Sequence, residues 1–324
     1  MHAWQLPVLG GPEQLRWVEL LTPEPGPTQV RVRIEAAALN FLDTLMLRGQ
    51  YQTKPPLPFI PGVEFAGIVE AAGVGARLKP GTKVAGVAPT GAFATHIVLE
   101  QSQVTEMPAA MLSALAATLP IAYPTAALAL YELAQLRSED RVLITAAAGG
   151  VGIAAIQLAK ARGAQVVAVA SNAKHAECLA QGADVVFSYE NLDLVLKNWL
   201  AIQRTEGFDV VVDMVGGAVG LAGLKRLAWR GRWLSVGFAS GEISQIPANL
   251  LLLRQAQAIG VWWGEFSKRE AHAAARILAD LMKLLAEGTI KPLISASYPM
   301  SKLPDALRLL ANRKTVGKVV LLNA

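Results

Sequence analysis

A single cysteine, Cys178, and four histidines are all the thiol and imidazole chemistry available in 324 residues. One cysteine excludes an intramolecular disulfide framework and a four-cysteine zinc site. Cys178 reads as a small buried apolar residue, and His2, His96, His175 and His272 are scattered without metal-ligand spacing. Charge is scarce as well, at 17% of residues, and the net +5 is spread along the chain without a Lys/Arg block. That distribution is weak support for nucleic-acid binding. Unbroken apolar runs are also missing. Two charge-free stretches, 107–131 and 142–159, are interrupted by Pro108, Pro120 and Pro124 in one and by Gly149, Gly150 and Gly152 in the other. Both read as buried segments of a soluble protein rather than membrane spans. The first twenty residues lack the basic and apolar regions of a signal peptide, so a reducing cytoplasm is the expected compartment. What is plentiful is apolar content, 53% with a mean hydropathy of +0.37, which excludes a disordered chain. The length suggests about two domains.

Residues 1–100 are rich in strand signals. Gly10-Gly11-Pro12 marks a turn, and 22–27 is a proline-rich loop. In 29–36, Val30, Val32 and Ile34 alternate with Arg31, Arg33 and Glu35, the period of a half-buried strand. Pro55, Pro56, Pro58 and Pro61 mark an irregular segment, after which strands are expected at 63–71, 83–87 and 93–99. From about Ser138 strand and helix alternate, with strands at 141–145, 165–170, 184–188, 209–215, 232–236 and 258–262. Short β-branched runs separated by helices predict a doubly wound parallel sheet covered on both faces. The tail reads as a helix at 269–287, a strand at 294–298, a helix after Pro304 and a strand at 317–322.

The first of these parallel strands runs into Ala146-Ala147-Ala148-Gly149-Gly150-Val151-Gly152 and then a helix. Glycines in such a turn let backbone N–H groups approach a pyrophosphate, and the helix N-terminus adds partial positive charge. Gly149, Gly150 and Val151 are therefore candidate cofactor contacts; the competing reading is a tight turn without a ligand. An NAD site usually ends its second strand in Asp or Glu, which binds the ribose hydroxyls. Here the strand ends Ala170-Ser171-Asn172-Ala173-Lys174, and no carboxylate follows until Glu177. Without that anion Ser171 and Lys174 can bind a 2′-phosphate, so NADPH is the expected cofactor. Ser171 as a helix cap and Lys174 as a solvated charge are the alternatives, and both roles can coexist.

These motifs resemble the zinc-independent quinone oxidoreductases of the medium-chain dehydrogenase/reductase superfamily, over nearly the whole chain. The N-terminal matches are Gly10-Gly11-Pro12-Glu13, Asn40-Phe41-Leu42-Asp43 with Arg48, Gly49 and Tyr51, and Pro61-Gly62-Val63-Glu64-Phe65-Ala66-Gly67. The alanine–glycine turn, 235–241 and the closing 312–321 match as well, and 237–266 particularly resembles the quinone oxidoreductase-like protein 2 branch. The resemblance implies an α/β chain of two domains: a GroES-like, partly barrel-like β-rich catalytic domain, 1–122 and 265–324, and a Rossmann cofactor domain, 123–264. It also implies a homodimer paired through the strand near 258–262. Trp262 belongs either to that interface, to the core or to the nicotinamide pocket. Zinc-dependent relatives carry a histidine where this chain has Val63 and a cysteine near Asn40, so no metal is expected. Without a Lewis acid, oxidation of a simple alcohol has no evident means of stabilising the alkoxide.

The remaining chemistry is hydride transfer to an acceptor that is already electrophilic, a quinone or an α,β-unsaturated carbonyl. Asn40 and Tyr51 are the candidate donors to its oxygen, or else a loop-fixing amide and a packing ring. The resemblance places Phe41, Leu42 and Asp43 on the nicotinamide side and Thr125 at the nicotinamide ribose. It places Tyr189 near the adenosine phosphate and Gly237 and Phe238 along the groove, with Arg313 either at the 2′-phosphate or a surface charge. An enoyl-thioester reductase is the neighbouring alternative. A cofactor-holding RNA-binding or structural protein is the alternative from another class.

Overall fold

Met1–Ile121 and the tail from Ile294 pack together as one unit, and Ala122–Leu293 between them form a second. The computed structural model describes residues 1–323; Ala324, the last residue of the expected catalytic domain, lies outside the described residues. The chain begins with strands β1 (His2–Gln5), β2 (Arg16–Glu19) and β3 (Gln29–Ala38), then helix α1 (Phe41–Leu47) and β4 (Glu64–Ala72). Strands β5 (Lys83–Val87), β6 (His96–Glu100) and β7 (Val104–Glu106) and the short helix α2 (Ser113–Ala116) follow.

In the second unit, helix α3 (Ala122–Ala127) continues into a π-helical stretch, Leu128–Leu133. The alternating series is β8 (Arg141–Ile144), α4 (Gly150–Ala161), β9 (Gln165–Val169), α5 (His175–Ala180) and β10 (Val185–Phe187). It continues as α6 (Leu192–Ile202), β11 (Phe208–Asp213), α7 (Gly217–Lys225), β12 (Leu227–Ser235), α8 (Ala248–Arg254) and β13 (Gln257–Gly260). Helices α9 (Trp263–Arg269) and α10 (Ala271–Ala286) end this unit. The tail supplies β14 (Ile294–Pro299), α11 (Leu303–Ala311) and β15 (Lys318–Leu322) to the first.

The alternation in β3 makes it the organising strand of the first unit. Val30, Val32 and Ile34 are buried, while Arg33 is exposed and Arg31 lies partly open. One edge of β3 pairs antiparallel with β4; the other pairs first with β6 and then with β15. Close packing of β4 on β3 depends on Gly67, where a Cβ would lie 2.1 Å from the Arg33 carbonyl oxygen. Phe65, Phe93, Val32, Ile34 and Leu307 meet in the core beneath.

The second unit carries a six-stranded parallel sheet in the order β10-β9-β8-β11-β12-β13. Leu192, Leu196 and Leu200 recur every four residues along α6 and bury one stripe against Phe208, Val211 and Trp233. Each such leucine contributes about 1.5–3 kcal/mol by leaving water.

Two sequence expectations differ from this arrangement. Residues 265–293, expected with the catalytic domain, belong to the second unit. There α10 packs on α3 and α9 and buries Ala274, Ile277 and Leu281. A helix's apolar stripe says that it packs, not against what. The sixth strand, expected to reach Trp262, stops at Gly260, and Trp262 instead precedes α9 as its N-cap residue.

Candidate active site

The strand order of the second unit reverses between β8 and β11, which leave a crevice at their carboxyl ends. The chain after β8 turns through Ala146, a non-glycine residue held at φ +47°, and enters α4 with Gly149 as its N-cap. Gly152 is required by packing: a Cβ there would sit 2.5 Å from the carbonyl oxygens of both Ala146 and Ala147. No acidic side chain lies in the first turn of α4, so its N–H groups and partial positive charge meet no local anion. Gly149, Gly150 and Val151 form this helix entrance.

Across the crevice, β11 ends in Asp213, which is fully buried. Its carboxylate accepts the Thr145 hydroxyl at 2.8 Å and the N–H groups of Val215 and Gly216, while Thr145 Oγ1 accepts the Met214 N–H at 2.9 Å. Burial raises the Asp213 pKa, opposed by these hydrogen bonds. The network ties the ends of the two strands that flank the crevice. Neither Thr145 nor Asp213 was singled out from the sequence, although a polar residue ending each of two apolar strands was the available signal.

The loop after β12 folds over β11, with Val236 and Gly237 donating to the Asp213 carbonyl and Ala239 to that of Met214. Gly237 and Phe238 therefore lie beside the Asp213 end of the crevice. On the other side, β9 leads into exposed Ser171, whose side chain makes no capping bond, with Lys174 one short turn beyond. The Tyr189 hydroxyl donates to the Val169 carbonyl at 3.5 Å, placing its ring at the same end of β9. Thr125 is buried within α3. Trp262 is 58% exposed beyond the edge strand.

In the first unit, Asn40 opens α1 through a capping box with Asp43: the Asn40 N–H donates to Asp43 Oδ2 at 2.7 Å. The Asn40 side chain joins a buried polar cluster. Its Nδ2 donates to Glu64 Oε2 at 2.9 Å and to the Ala38 carbonyl at 3.3 Å, and its Oδ1 accepts Lys318 Nζ at 2.7 Å. Lys318 Nζ also reaches Glu64 Oε2 at 2.7 Å, and Glu64 Oε1 accepts the Ile121 N–H at 2.7 Å. Glu64 and Asp43 are fully buried and Lys318 is 5% exposed. Burial pushes the Asp43 carboxyl up from 3.8 to about 7, against the Asn40 N–H and the Lys318 charge and with the Glu64 charge. Tyr51 is partly buried against the same core, and its hydroxyl pKa is raised by burial and by the charge of Asp43.

Phe41 is partly open on α1, Leu42 packs on the core, and Arg313 is exposed in a left-handed turn after α11. The structure thus brings Asn40, Asp43 and Tyr51 together in one unit and the glycine turn, Ser171, Tyr189 and Gly237 to one sheet end in the other. Glu64 and Lys318 were quoted as motif residues and given no role. A charge at the start of an apolar strand was the signal for each; their pairing across 254 positions was not.

Comparison with known proteins matches these two parts. A model of the alcohol dehydrogenase GroES-like domain fits residues 26–109, and a model named zinc-binding dehydrogenase fits 150–280. Quinone oxidoreductase-like protein 2 of Rattus norvegicus is 37% identical over 310 residues, covering 94% of this chain and 88% of the relative. The chain belongs to the quinone oxidoreductase family of the medium-chain dehydrogenase/reductase superfamily. It is accordingly an oxidoreductase. Among solved structures of the family, quinone oxidoreductase of Pseudomonas syringae superimposes with a TM-score of 0.90 at 33% identity, covering 99% of each chain. The Escherichia coli quinone oxidoreductase complexed with NADPH gives 0.92 at 28% identity, covering 99% of this chain and 100% of that one.

The zinc in the second model's name does not fit the residues present. Where the resemblance puts a zinc-ligating histidine this chain has the buried, apolar Val63, and near the expected cysteine stands Asn40. The Asn40 and Glu64 oxygens are served instead by an ammonium group, Lys318. Among the described residues no three His, Cys, Asp or Glu side chains gather as a metal site. No described helix is long and apolar enough to cross a membrane.

Proposed function

We propose that the chain is an NADPH-dependent reductase that transfers a hydride to a quinone or an α,β-unsaturated carbonyl without zinc. The observation that carries the cofactor is the acid-free end of β9, where exposed Ser171 and partly buried Lys174 follow the strand next to β8 and its glycine turn. The relative solved with NADPH supports the same choice. Gly149, Gly150 and Val151 would hold the pyrophosphate, and Ser171, Lys174 and Arg313 the 2′-phosphate. Tyr189 would lie near the adenosine, and Gly237, Phe238, Thr125 and Trp262 along the nicotinamide side with Phe41, Leu42 and Asp43. When bound, the cofactor supplies the hydride.

The protein's own part is orientation and a proton. Both amide hydrogens of Asn40 are engaged by Glu64 and Ala38, which favours a loop-fixing role for that side chain. Tyr51 is then the assigned hydrogen-bond donor to the acceptor oxygen. The single cysteine is buried, with its thiol pushed up to about 11 by burial, which suits the reducing cytoplasm we assign. We also assign a homodimer paired through β13, an edge strand bonded on one side by β12.

Ser171→Ala combined with Lys174→Ala is expected to weaken NADPH roughly 100-fold or more while leaving NADH within about threefold, since each of the two charge-assisted bonds is worth about 1.5–3 kcal/mol. Cofactor titration by fluorescence checks this, and equal losses for both cofactors would overturn the assignment. Steady-state rates against quinones, enals and enoyl-CoA esters decide the acceptor. Saturation of the thioesters alone would favour the enoyl-thioester reductase reading. Absence of turnover with steeply salt-dependent RNA binding would favour the RNA-binding one.

A further inference from the structure

The cluster around Asn40 contains two fully buried carboxyls and one cation. If both carboxyls were ionised, a net negative charge would be left out of reach of water, at a cost of several kcal/mol. One of the two therefore holds a proton, and the hydrogen bonds say which. Glu64 accepts three donors, Asn40 Nδ2, Lys318 Nζ and the Ile121 N–H, and a proton added to it would displace one of them. Asp43 accepts the Asn40 N–H on Oδ2, whereas its Oδ1 is buried with no hydrogen-bond partner. That oxygen is the place for a proton.

We propose that Asp43 is the proton store of the reduction, holding a hydrogen on Oδ1 as a neutral acid and delivering it through the Tyr51 hydroxyl. The inference rests on the quinone or enone reductase reading above. Hydride addition brings two electrons and one hydrogen to the acceptor and leaves an oxyanion. The Tyr51 O–H bond then breaks as an O–H bond forms on the product. Tyr51 takes the Asp43 proton in turn, directly or over one water, and after product release a solvent proton returns to the carboxylate by the same Tyr51 route. Asp43 has no exposed surface, so it needs such a relay, and Tyr51, packed on the same core as Met46 and Leu47 of the helix that carries Asp43, is the hydroxyl we assign to it.

The groups acting on Asp43 are Lys318 from β15, Glu64 from β4, and Tyr51 beyond the end of α1. Helix α11, packed on α1, carries Asp305 and Arg308 paired with each other at 2.8 Å on its exposed face. The acid is required in its neutral form, so kcat should fall as pH rises through about 7, the value to which burial lifts Asp43.

The test is Asp43→Asn in the full chain, because an amide oxygen still accepts the Asn40 N–H and keeps the cap. An infrared pH titration without cofactor should show a protonated-carboxyl stretch at pH 6 in wild type. The band should vanish as pH passes about 7 and be missing from the variant. With saturating NADPH and a quinone, the variant should lose roughly tenfold or more in kcat and its fall above neutrality. Native-state stability gives a third readout. A carboxyl with a raised pKa binds more protons folded than unfolded between 3.8 and about 7, so stability falls as pH rises through that window. The variant should flatten that slope. A wild-type spectrum without the band, or a variant with unchanged kcat and pH profile, overturns the proposal. Should the variant fail to fold, the wild-type titration and a Tyr51→Phe variant decide: no band, or an unchanged kcat, overturns it. A titrating band in a protein that binds NADPH yet turns over no acceptor would defeat the reductase reading and the delivery step together, leaving the buried acid itself established.

Discussion

At the scale of single residues, the polar cluster around Glu64 is the most consequential feature of the first unit. Glu64 has one cationic partner, Lys318, and no exposed surface through which water could replace it. Lys318→Met keeps the aliphatic stem and removes the charge, stranding a buried carboxylate. The expected loss is about 3–5 kcal/mol of unfolding free energy at pH 7, measured by urea denaturation. A surface pair of similar length, such as Arg308 with Asp305, would lose less than about 1 kcal/mol on the same treatment. Asn40, Asp43 and Tyr51 were legible as site residues because they fall in one short motif. That the Asn40 amide is engaged by neighbours was not legible, since those neighbours come from β4 and β15.

At the scale of elements, the strand–glycine–helix unit of β8 and α4 is where local sequence and packing agree most fully. Short β-branched runs became strands close to where their period placed them, within a few residues at each end. Of the unit's glycines, Gly152 falls where packing leaves no room for a side chain. Gly152→Ala would push a methyl group to 2.5 Å from two carbonyl oxygens, so either the turn or the start of α4 must shift. We expect a loss of about 1–3 kcal/mol in thermal or urea unfolding. NADPH affinity should fall as well, because the shifted N–H groups are those assigned to the pyrophosphate. Gly149→Ala is the informative contrast: its added carbon would sit 3.3 Å from the Ala146 carbonyl, and the stability loss should be smaller. Helix α10 is the element whose assignment failed. Its stripe of Ala274, Ile277 and Leu281 announces burial, but a stripe fits any apolar surface, and it lies on α3 of the second unit.

At the scale of the whole molecule, the feature with the widest consequence is the β13 edge of the six-stranded sheet. Among the described residues strand β13 is paired with β12 alone, and Trp262 stands 58% exposed just beyond it. An open edge with an adjacent apolar ring invites pairing with another copy. Ala258→Pro removes a backbone donor in the middle of that edge. The expected outcome is a shift from the proposed dimer to monomer in light scattering coupled to size-exclusion chromatography, with cofactor affinity retained in the monomer. An unchanged dimer mass would remove β13 from the interface.

What the sequence determined alone is what local periodicity and composition can carry. These are the β-rich first hundred residues, the alternating series with its glycine turn, the acid-free end of β9 and the scarcity of metal-binding side chains. Each depends on neighbours a few positions apart, where the 2.0 and 3.6 periods and turn chemistry act directly. The tertiary structure alone decided which distant residues share a buried volume. Lys318 meets Glu64 and Asn40 only because β15 joins the sheet beside β3 while β4 flanks its other edge. Thr145 meets Asp213 only because β8 and β11 are neighbours at the point where the strand order reverses. Removal from water is what gives these groups their chemistry. A carboxyl such as Asp43 acquires an unusual proton affinity from its surroundings, and those surroundings are assembled from strands far apart in the chain.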